Sequence, residues 1–171
     1  FTEEFPLGAY INHTKTRSSG IEMEFRYQGE LGFIAANLAT ISGDGNRNEA
    51  YEVSTINDQF LAWPALKVNL YSGLRFIPDL IVSPSLSYLA KRYAVTGFGV
   101  SSFYSYTQVD PQFFINLNLQ YTMSDQIDLN LYIKDITNQH QWFIQPHNSG
   151  FAPIEALGTE IVFGLSFHPS F

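Results

Sequence analysis

Hydrophobic and polar residues alternate with a period of two in several long segments of the chain. In the clearest segment four apolar residues share one parity and three charged residues share the other: Ile21, Met23, Phe25 and Tyr27 against Glu22, Glu24 and Arg26. Successive side chains of a β-strand point to opposite faces, whereas a helix brings together residues three or four positions apart. The segment is therefore predicted to be a strand with one apolar and one charged face.

The same alternation predicts further strands along the rest of the chain. Their approximate ranges are 31–41, 66–76, 80–91, 113–121, 127–133 and 161–171. In the last of these, Ile161, Phe163 and Leu165 share the parity of the terminal Phe171. The pattern thus predicts an all-β chain of about seven strands.

The connections between these strands alternate between short and long. The short ones contain turn-forming residues, at 28–30, 77–79 and 123–126, and the long ones run from 43 to 62, 92 to 111 and 137 to 157. Antiparallel transmembrane barrels have short periplasmic turns and long extracellular loops. The alternation therefore assigns every long connection to the outside of a membrane.

Composition agrees with strands and restricts the possible partners. The chain has 15 Phe, 10 Tyr and 2 Trp but only 15% charged residues, and aromatic side chains favour strands and membrane interfaces. It has no cysteine, which excludes disulfides and thiol chemistry. Its net charge of −7 with no basic stripe makes nucleic acid an unexpected partner.

No apolar run is long enough for a spanning helix, which needs ~20 residues, but a barrel strand needs only about 10. Lipid tolerates no open sheet edge, and about seven strands do not close alone. The chain is therefore expected to be part of a larger barrel. Residues 1–12 are expected to end a preceding loop, with an eighth strand there left open.

The order of several motifs resembles the C-terminal third of TonB-dependent receptors. Gly20-Ile21-Glu22-Met23-Glu24, after Asn12, is similar to that family's N-x(n)-G-[VI]-E-x-E strand opening, and the segment from Trp63 to Asn69 is similar to its P-x-[HY]-K-x-N strand. The segment from Leu129 to Ile136 stands in place of V-x-N-L-[FL]-[DN], and the chain ends in Phe. It departs from the family at Ile133-Lys134-Asp135-Ile136, which lacks the usual Asn-Leu-Phe core. Further departures are Ala156-Leu157-Gly158-Thr159, where Pro-Gly-Arg is typical, and Pro169.

The resemblance implies a fold, a location and a function. Residues 1–171 would be the C-terminal portion of an antiparallel transmembrane β-barrel of about 22 strands in the outer membrane of a Gram-negative bacterium. Such receptors import a scarce nutrient that binds the extracellular loops and a plug domain, and energy from the inner membrane then drives its passage. The expected partners are outer-membrane lipid, the plug and remaining strands, the TonB complex through an N-terminal part, and a small ligand.

The resemblance also assigns roles to individual residues. The polar parity would face the lumen, and Phe167 and Phe171 would belong to the terminal signal read during barrel assembly. The residues expected to face the lumen are Glu22, Glu24, Arg26, Lys67, Arg75 and Lys134.

Aromatic and histidine residues of the long connections are candidates for ligand contact, because loops carry much of the function of rigid scaffolds. They are Tyr104, Tyr106, His140, Trp142 and His147. The competing interpretations are an aromatic belt at the membrane interface and simple loop packing.

The sequence supports neither catalysis nor a cofactor. No Ser-His-Asp order or phosphate-binding glycine loop occurs, and the histidines lack the spacing of a metal pair. Glu22 and Glu24 share a face, as an acid and base pair would, but a polar barrel wall explains them without catalysis. We therefore expect no enzyme activity, no cofactor and no metal.

Two other classes of protein fit parts of the pattern. A complete barrel of about eight strands, acting as an anchor or adhesin, suits the chain length. A soluble carbohydrate-binding β-sandwich is also built from alternating strands, but it gives no reason for alternating connection lengths. Siderophore, cobalamin, metal, sugar and peptide all remain open as the ligand.

Overall fold

The computed structural model describes residues 16–45, 55–56, 59–97, 105–144 and 153–169. The regular secondary structure of these ranges consists of β-strands, and no helix within them is long and apolar enough to span a membrane. The strands in chain order are β1 (Thr16–Gly29), β2 (Gly32–Gly45), β3 (Thr55–Ile56), β4 (Gln59–Phe60), β5 (Leu66–Ile77), β6 (Leu80–Leu89), β7 (Arg92–Gly97), β8 (Ser105–Val109), β9 (Gln112–Ser124), β10 (Ile127–Lys134), β11 (Trp142–Phe143), β12 (Ile154–Glu155) and β13 (Glu160–Phe167).

The seven long strands form one antiparallel sheet in the order β1-β2-β5-β6-β9-β10-β13. Each strand pairs with the next long strand in the chain, as in the wall of an up-and-down barrel. Two-residue turns, Glu30-Leu31, Pro78-Asp79 and Asp125-Gln126, join the pairs at one end. The long connections lie at the other end, which we call the loop end. The predicted all-β antiparallel sheet of about seven strands is confirmed.

The first two strands extend further toward the loop end than alternation predicted. Thr16 pairs with Gly45, and the ladder continues without interruption through Ser18 and Gly43. Ser19 and Ser42 also hydrogen-bond through their hydroxyls at 3.1 Å. Both faces of the ladder are polar or small here, so the sequence shows no period of two although the backbone remains paired.

The long connections are more ordered than their irregular sequence indicated. Each contains a small two-stranded sheet, β3-β4, β7-β8 or β11-β12. Four of these strands have only two residues, too few to show a period, and β7 and β8 carry polar and apolar residues without alternation.

Strand pairing separates the two parities onto opposite faces of the large sheet. Directly paired residues of antiparallel strands lie on the same face. An apolar row runs from Met23 through Leu38, Val68 and Tyr88 to Phe113. The adjacent row, displaced by one residue, is mostly polar, with Glu24, Asn37, Asn69, Ser87 and Phe114.

The apolar face has no second layer over it among the described residues. Ile21, Phe25, Phe163 and Leu165 are each more than 60% exposed, and the buried hydrophobic residues are few. A β-sandwich buries its aliphatic faces between two sheets. The part of the chain that the structure describes therefore does not have the sandwich architecture considered from the sequence.

The edges of the large sheet are β1 and β13, each of which pairs on one side only among the described strands. These strands do not close into a barrel by themselves. The closed eight-stranded barrel is therefore not formed by the part of the chain that the structure describes.

Hydrogen bonds between side chains cross the strands on the polar face. Asn69 donates to Asn37 Oδ1 at 2.6 Å, and Ser87 donates to Asn69 Oδ1 at 2.7 Å. On the next row Asn116 donates to Ser85 Oγ at 3.2 Å. These bonds satisfy amide groups on the sheet surface and fix the polar face in register.

Gly32, the first residue of β2 after the first turn, lies close to the backbone of β5. Gly32 has φ of +129°, and a Cβ there would clash with the backbone oxygen of Gly73. We expect Gly32→Ala to destabilise the protein by about 1–3 kcal/mol, since only glycine adopts this conformation without strain. The measurement is the denaturant midpoint of the purified protein in detergent.

The matched control is Gly164→Ala, because a Cβ at Gly164 meets its nearest atom at 3.6 Å, an ordinary contact. It should change stability by less than about 0.5 kcal/mol. Equal effects of the two substitutions would contradict the geometry described for the turn.

Candidate ligand-binding site at the loop end of the sheet

The six residues predicted to face a lumen share the polar face of the sheet. Glu22 and Lys67 both pair with Ala39, and Lys134 pairs with Glu160. The six do not form one cluster. Lys67 and Lys134 lie at the loop end, and Glu22 is level with Lys67 and lines a further cavity with it. Glu24, Arg26 and Arg75 lie closer to the end with the short turns. That this face lines a lumen stays a prediction.

The two lysines line a cavity of about 200 Å³ on the polar face, which we call the polar-face cavity. Its other polar lining residues include Ser87, Asn116, Tyr132 and Gln141. Lys134 Nζ lies 3.3 Å from Glu160 Oε2, with both side chains about 40% exposed, so solvent weakens this pair. The second ammonium group, on Lys67, and the carboxylate of Asp135 also line the cavity.

A buried carboxylate organises the turn that closes this cavity. Asp135 follows β10 directly, is 3% exposed, and has φ of +46°. Its Oδ1 accepts from Gln139 N and Thr137 Oγ1, both at 3.1 Å, and its Oδ2 accepts from His140 N at 3.0 Å. The turn is thus held by one carboxylate with three donors.

These donors also set the acidity of Asp135. Burial raises the pKa, but the backbone hydrogen bonds from Gln139 and His140, together with the hydrogen bond from Thr137 and the electrostatic effect of the His140 ring, more than offset it. The net pKa lies below its ordinary value. The carboxylate is therefore charged at neutral pH, with its oxygens occupied by the turn.

The segment that leads into β13 packs closely on this turn. Thr159 N donates to Asn138 Oδ1 at 3.0 Å, and Thr159 Oγ1 donates to Asp135 O at 2.8 Å. A Cβ at Gly158 would clash with Asn138 Oδ1 and would lie 2.9 Å from His140 Nε2. A side chain at 158 would therefore displace the Asn138 amide, which accepts the hydrogen bond from Thr159 N.

Arg92, the first residue of β7, joins two of the long connections. It is 5% exposed, and burial lowers its pKa. Its Nη2 donates to Gln112 Oε1 at 2.5 Å and its Nη1 to Trp142 O at 3.3 Å, while Gln112 Nε2 donates to His140 O at 3.2 Å. Its Nε has no hydrogen-bond partner among the described residues. This network fixes residues 140–142 against the start of β9.

A second, larger cavity lies beside this network. It has a volume of about 590 Å³ and is lined by residues 107–112, Gln139, Trp142 and Pro153. We call it the loop cavity. Residues 139–142 lie between the two cavities, since Gln141 lines the polar-face cavity and Gln139 and Trp142 line the loop cavity.

The residues predicted to contact a ligand have different positions. Trp142 lines the loop cavity, whereas the ring of His140 pairs with Glu155, with Nδ1 3.4 Å from Oε1. Tyr106 belongs to β8, and nothing is described of its side chain. Tyr104 and His147 lie outside the described residues, so ligand contact by these five residues stays a prediction.

The predicted assembly signal is described only in part. Phe167 ends β13 with its side chain 60% exposed on the apolar face, and Phe171 lies outside the described residues. In the described ranges no group of three or more His, Asp or Glu side chains is placed to hold a metal ion.

Sequence reasoning did not identify Arg92, Gln112 or Asp135 as residues of the site. Arg92 and Gln112 lie at the two ends of a connection whose sequence shows no periodicity. Asp135 belongs to a motif but was not assigned a role. A charged residue directly after an alternating strand was the one available signal for Asp135.

Comparison with known proteins gives matches among solved structures. No family model matches the chain, and no curated protein matches it. Among the similar structures is the ferripyoverdine receptor of the outer membrane of Pseudomonas aeruginosa bound to ferripyoverdine, with a TM-score of 0.71 and 11% identity over 89% of this chain and 19% of the receptor. The siderophore receptor PiuA from Acinetobacter baumannii has a TM-score of 0.67 and 17% identity over 89% of this chain and 22% of the receptor. The ferric-catecholate import receptor Fiu from E. coli has a TM-score of 0.51 and 13% identity over 90% of this chain and 25% of the receptor.

These matches support the resemblance to TonB-dependent receptors at the level of the fold. The chain spans about a fifth of the length of the receptors it matches first. The large sheet has the architecture of a portion of their barrels, as the sequence motifs predicted.

The Asp135 turn gives a prediction about local stability. We expect Asp135→Asn to speed amide exchange in residues 136–143 about fivefold at neutral pH, because hydrogen bonds to a neutral acceptor are about 1 kcal/mol weaker than those to a charged one. Asn tolerates positive φ, so the backbone should be preserved. Hydrogen–deuterium exchange with mass spectrometry measures this, with residues 80–89 as an internal reference.

The same turn should depend on pH in the unsubstituted protein. The folded-state pKa of Asp135 is lowered, so its stabilising effect is present above the unfolded-state pKa and is lost as the pH falls through the folded-state value. Protection of residues 136–143, corrected for intrinsic exchange, should fall below about pH 4 and should not do so in Asp135→Asn. The same pH dependence in both proteins would contradict the role of the carboxylate.

Proposed function

We propose that this chain forms part of the barrel wall and extracellular loops of a TonB-dependent outer-membrane receptor that imports a scarce nutrient in a Gram-negative bacterium. The observation that carries the proposal is the uncovered apolar face of a seven-stranded antiparallel meander. Water makes such an exposed apolar surface costly, whereas lipid does not. The fold likeness to siderophore receptors supports the same conclusion.

The opposite face then meets the interior of the barrel. Its amide and hydroxyl ladder and its charged side chains suit contact with water and with a plug domain. The TonB complex would act on the plug through an N-terminal part, and its energy would release a bound ligand through the barrel. In this function the chain binds and transports rather than catalyses.

The polar-face cavity indicates the charge of the ligand. Lys67 and Lys134 lie on its wall, and the carboxylate of Asp135 is occupied by the turn. An anionic group is therefore favoured there over a cation. We propose an anionic iron chelate of the siderophore type, a class that agrees with the nutrients of the similar receptors.

Lipid contact is tested by two adjacent residues of β9. Leu119 pairs with Val82 and Leu131 on the apolar face, and Asn118 pairs with Ser83 and Tyr132 on the polar face. We expect Leu119→Arg to lower the stability of the inserted protein by about 2–4 kcal/mol, because arginine is costly in the middle of a bilayer. Asn118→Arg should have little effect. The measurement is the amount of folded protein in outer membranes together with its unfolding midpoint in lipid vesicles.

The reverse order of the two effects would overturn the assignment of faces. A soluble product, or a barrel of about eight strands that supports cell attachment but not uptake, would instead favour one of the other classes considered from the sequence.

Transport is tested by removing positive charge from the polar-face cavity. We expect the double substitution Lys67→Gln and Lys134→Gln to raise the Kd for an anionic ferric siderophore about three- to tenfold, as each partly exposed ion pair contributes at most about 1 kcal/mol. Arg75→Gln removes one charge from the same face away from the cavity, and should leave binding unchanged. Cells in iron-limited medium, supplied with ⁵⁵Fe-labelled siderophores, provide the uptake measurement.

Uptake should also stop in a strain without TonB while ligand binding to the cells continues. Uptake that is independent of TonB would contradict energy coupling. Equal binding by the double variant and the unsubstituted protein would contradict the proposed role of the cavity.

A further inference from the structure

The loop cavity is lined mainly by polar side chains, and none of them is assigned to the proposed anionic ligand. Its volume of about 590 Å³ lies in the range of small-molecule sites, and its lining contains one indole ring, on Trp142, and one ionisable group, on Asp110. Among the described residues no lysine or arginine lines it, in contrast to the polar-face cavity. The two cavities therefore differ in the charge of the ligand that they favour.

The walls of the loop cavity are held by hydrogen bonds behind them. Gln112 is oriented by Arg92 on one side and by His140 O on the other, and Arg92 also holds the backbone of Trp142. Gln139 Oε1 accepts from Phe113 N at 3.0 Å, which fixes the amide of Gln139 against β9. The side chains of Gln112 and Gln139 and the backbone of Trp142 are therefore held without a ligand, which lowers the ordering cost of binding.

Two polar groups of this lining remain available for a ligand. Gln108 Nε2 contacts Asp110 Oδ1 at 3.4 Å, and among the described residues Asp110 Oδ2 accepts no hydrogen bond. Gln139 Nε2 donates none in the same part of the chain, since the contact of its side chain is made through Oε1. The site thus offers one charged acceptor and one amide donor on the same cavity wall.

A ligand that matches this lining must both donate and accept hydrogen bonds and must present an apolar ring face to Trp142. Hydroxyl groups do both, and the C–H face of a sugar ring provides apolar area for an indole. An anion would be repelled by Asp110, with no cation in the lining to offset the repulsion. We infer that the loop cavity binds an uncharged saccharide unit, stacked on Trp142 with its hydroxyls on Asp110 and Gln139.

This inference deepens the proposed function by adding a second subsite for a ligand that arrives from outside. It would hold the neutral glycosidic part of a ligand whose anionic part lies in the polar-face cavity, or a free neutral sugar. Both occupants share the same chemistry at Trp142. Anionic saccharides of a membrane surface are disfavoured by the same carboxylate.

The test uses the whole protein as expressed in outer membranes, labelled with 5-fluorotryptophan and purified in detergent. Trp142→Phe and Trp63→Phe each remove one ¹⁹F resonance, which assigns both signals. Trp63 lines a different cavity, near Ser19 and Lys67, and serves as the internal control. The probes are methyl glucoside, methyl glucuronide and methyl glucosaminide, which share a ring and differ in charge.

Methyl glucoside should shift the Trp142 resonance saturably and leave that of Trp63 unchanged. Methyl glucuronide should bind about tenfold more weakly, and methyl glucosaminide at least as tightly as the glucoside, because of the charge of Asp110. Asp110→Asn should abolish the difference between the three probes. Gln139→Ala should weaken glucoside binding about fivefold, the effect of one hydrogen bond.

No saturable shift with any of the three probes would overturn the inference, as would equal shifts of Trp142 and Trp63. Tightest binding of the glucuronide would overturn the choice of an uncharged ligand. Membrane insertion and ferric siderophore uptake are measured separately. A failed sugar titration with intact uptake therefore rejects the subsite alone, whereas failed insertion of the unsubstituted protein rejects the proposed function.

Discussion

Every other feature of this molecule depends on the way in which backbone hydrogen bonds fix side chains to one face or the other. In an antiparallel ladder a residue cannot change faces unless the whole strand shifts by one position. The uninterrupted pairing of β1 with β2 and of β6 with β9 therefore fixes a continuous apolar surface and a continuous polar one. The polar cavity, the amide ladder and the exposed aromatic residues all follow from that separation. A shift by one residue would turn Lys67 and Asn69 to the apolar side.

The interior strand β6 shows how much irregularity this ladder tolerates. Pro84 has no N–H, yet it pairs in register with Leu117 of β9. On its other side β6 pairs with β5, where Tyr71 pairs with Ser85 and Leu74 with Val82. The two β5 residues between them have no partner in β6. The proline therefore interrupts one ladder and leaves the other intact. Because the interruption is local, Leu86 and Val82 remain on the same face.

The sequence predicted the sheet well because alternation is a local signal that survives tertiary folding. The Ile21 to Tyr27 segment and the 161–167 segment each have enough residues to show it. The small hairpins of the long connections could not be predicted, since two paired residues have no period. The cavities were not predictable either. Arg92, Gln112 and Trp142 are far apart in the chain and meet only through tertiary contacts. Asp135 could be placed after a strand, but its three donors all come from the turn that it organises.

A wall of four residues, 139–142, separates the polar-face cavity from the loop cavity. Gln141 lines one side and Gln139 and Trp142 line the other, while Asp135, Gln112 and Arg92 hold this wall from its ends. Any displacement of the wall changes the shape of both cavities. A ligand that displaced this wall from one side would therefore alter the other cavity, and such an effect would be reciprocal. A single ligand with one part in each cavity would contact this wall on both sides, so the Asp135 turn would support both halves of its binding site.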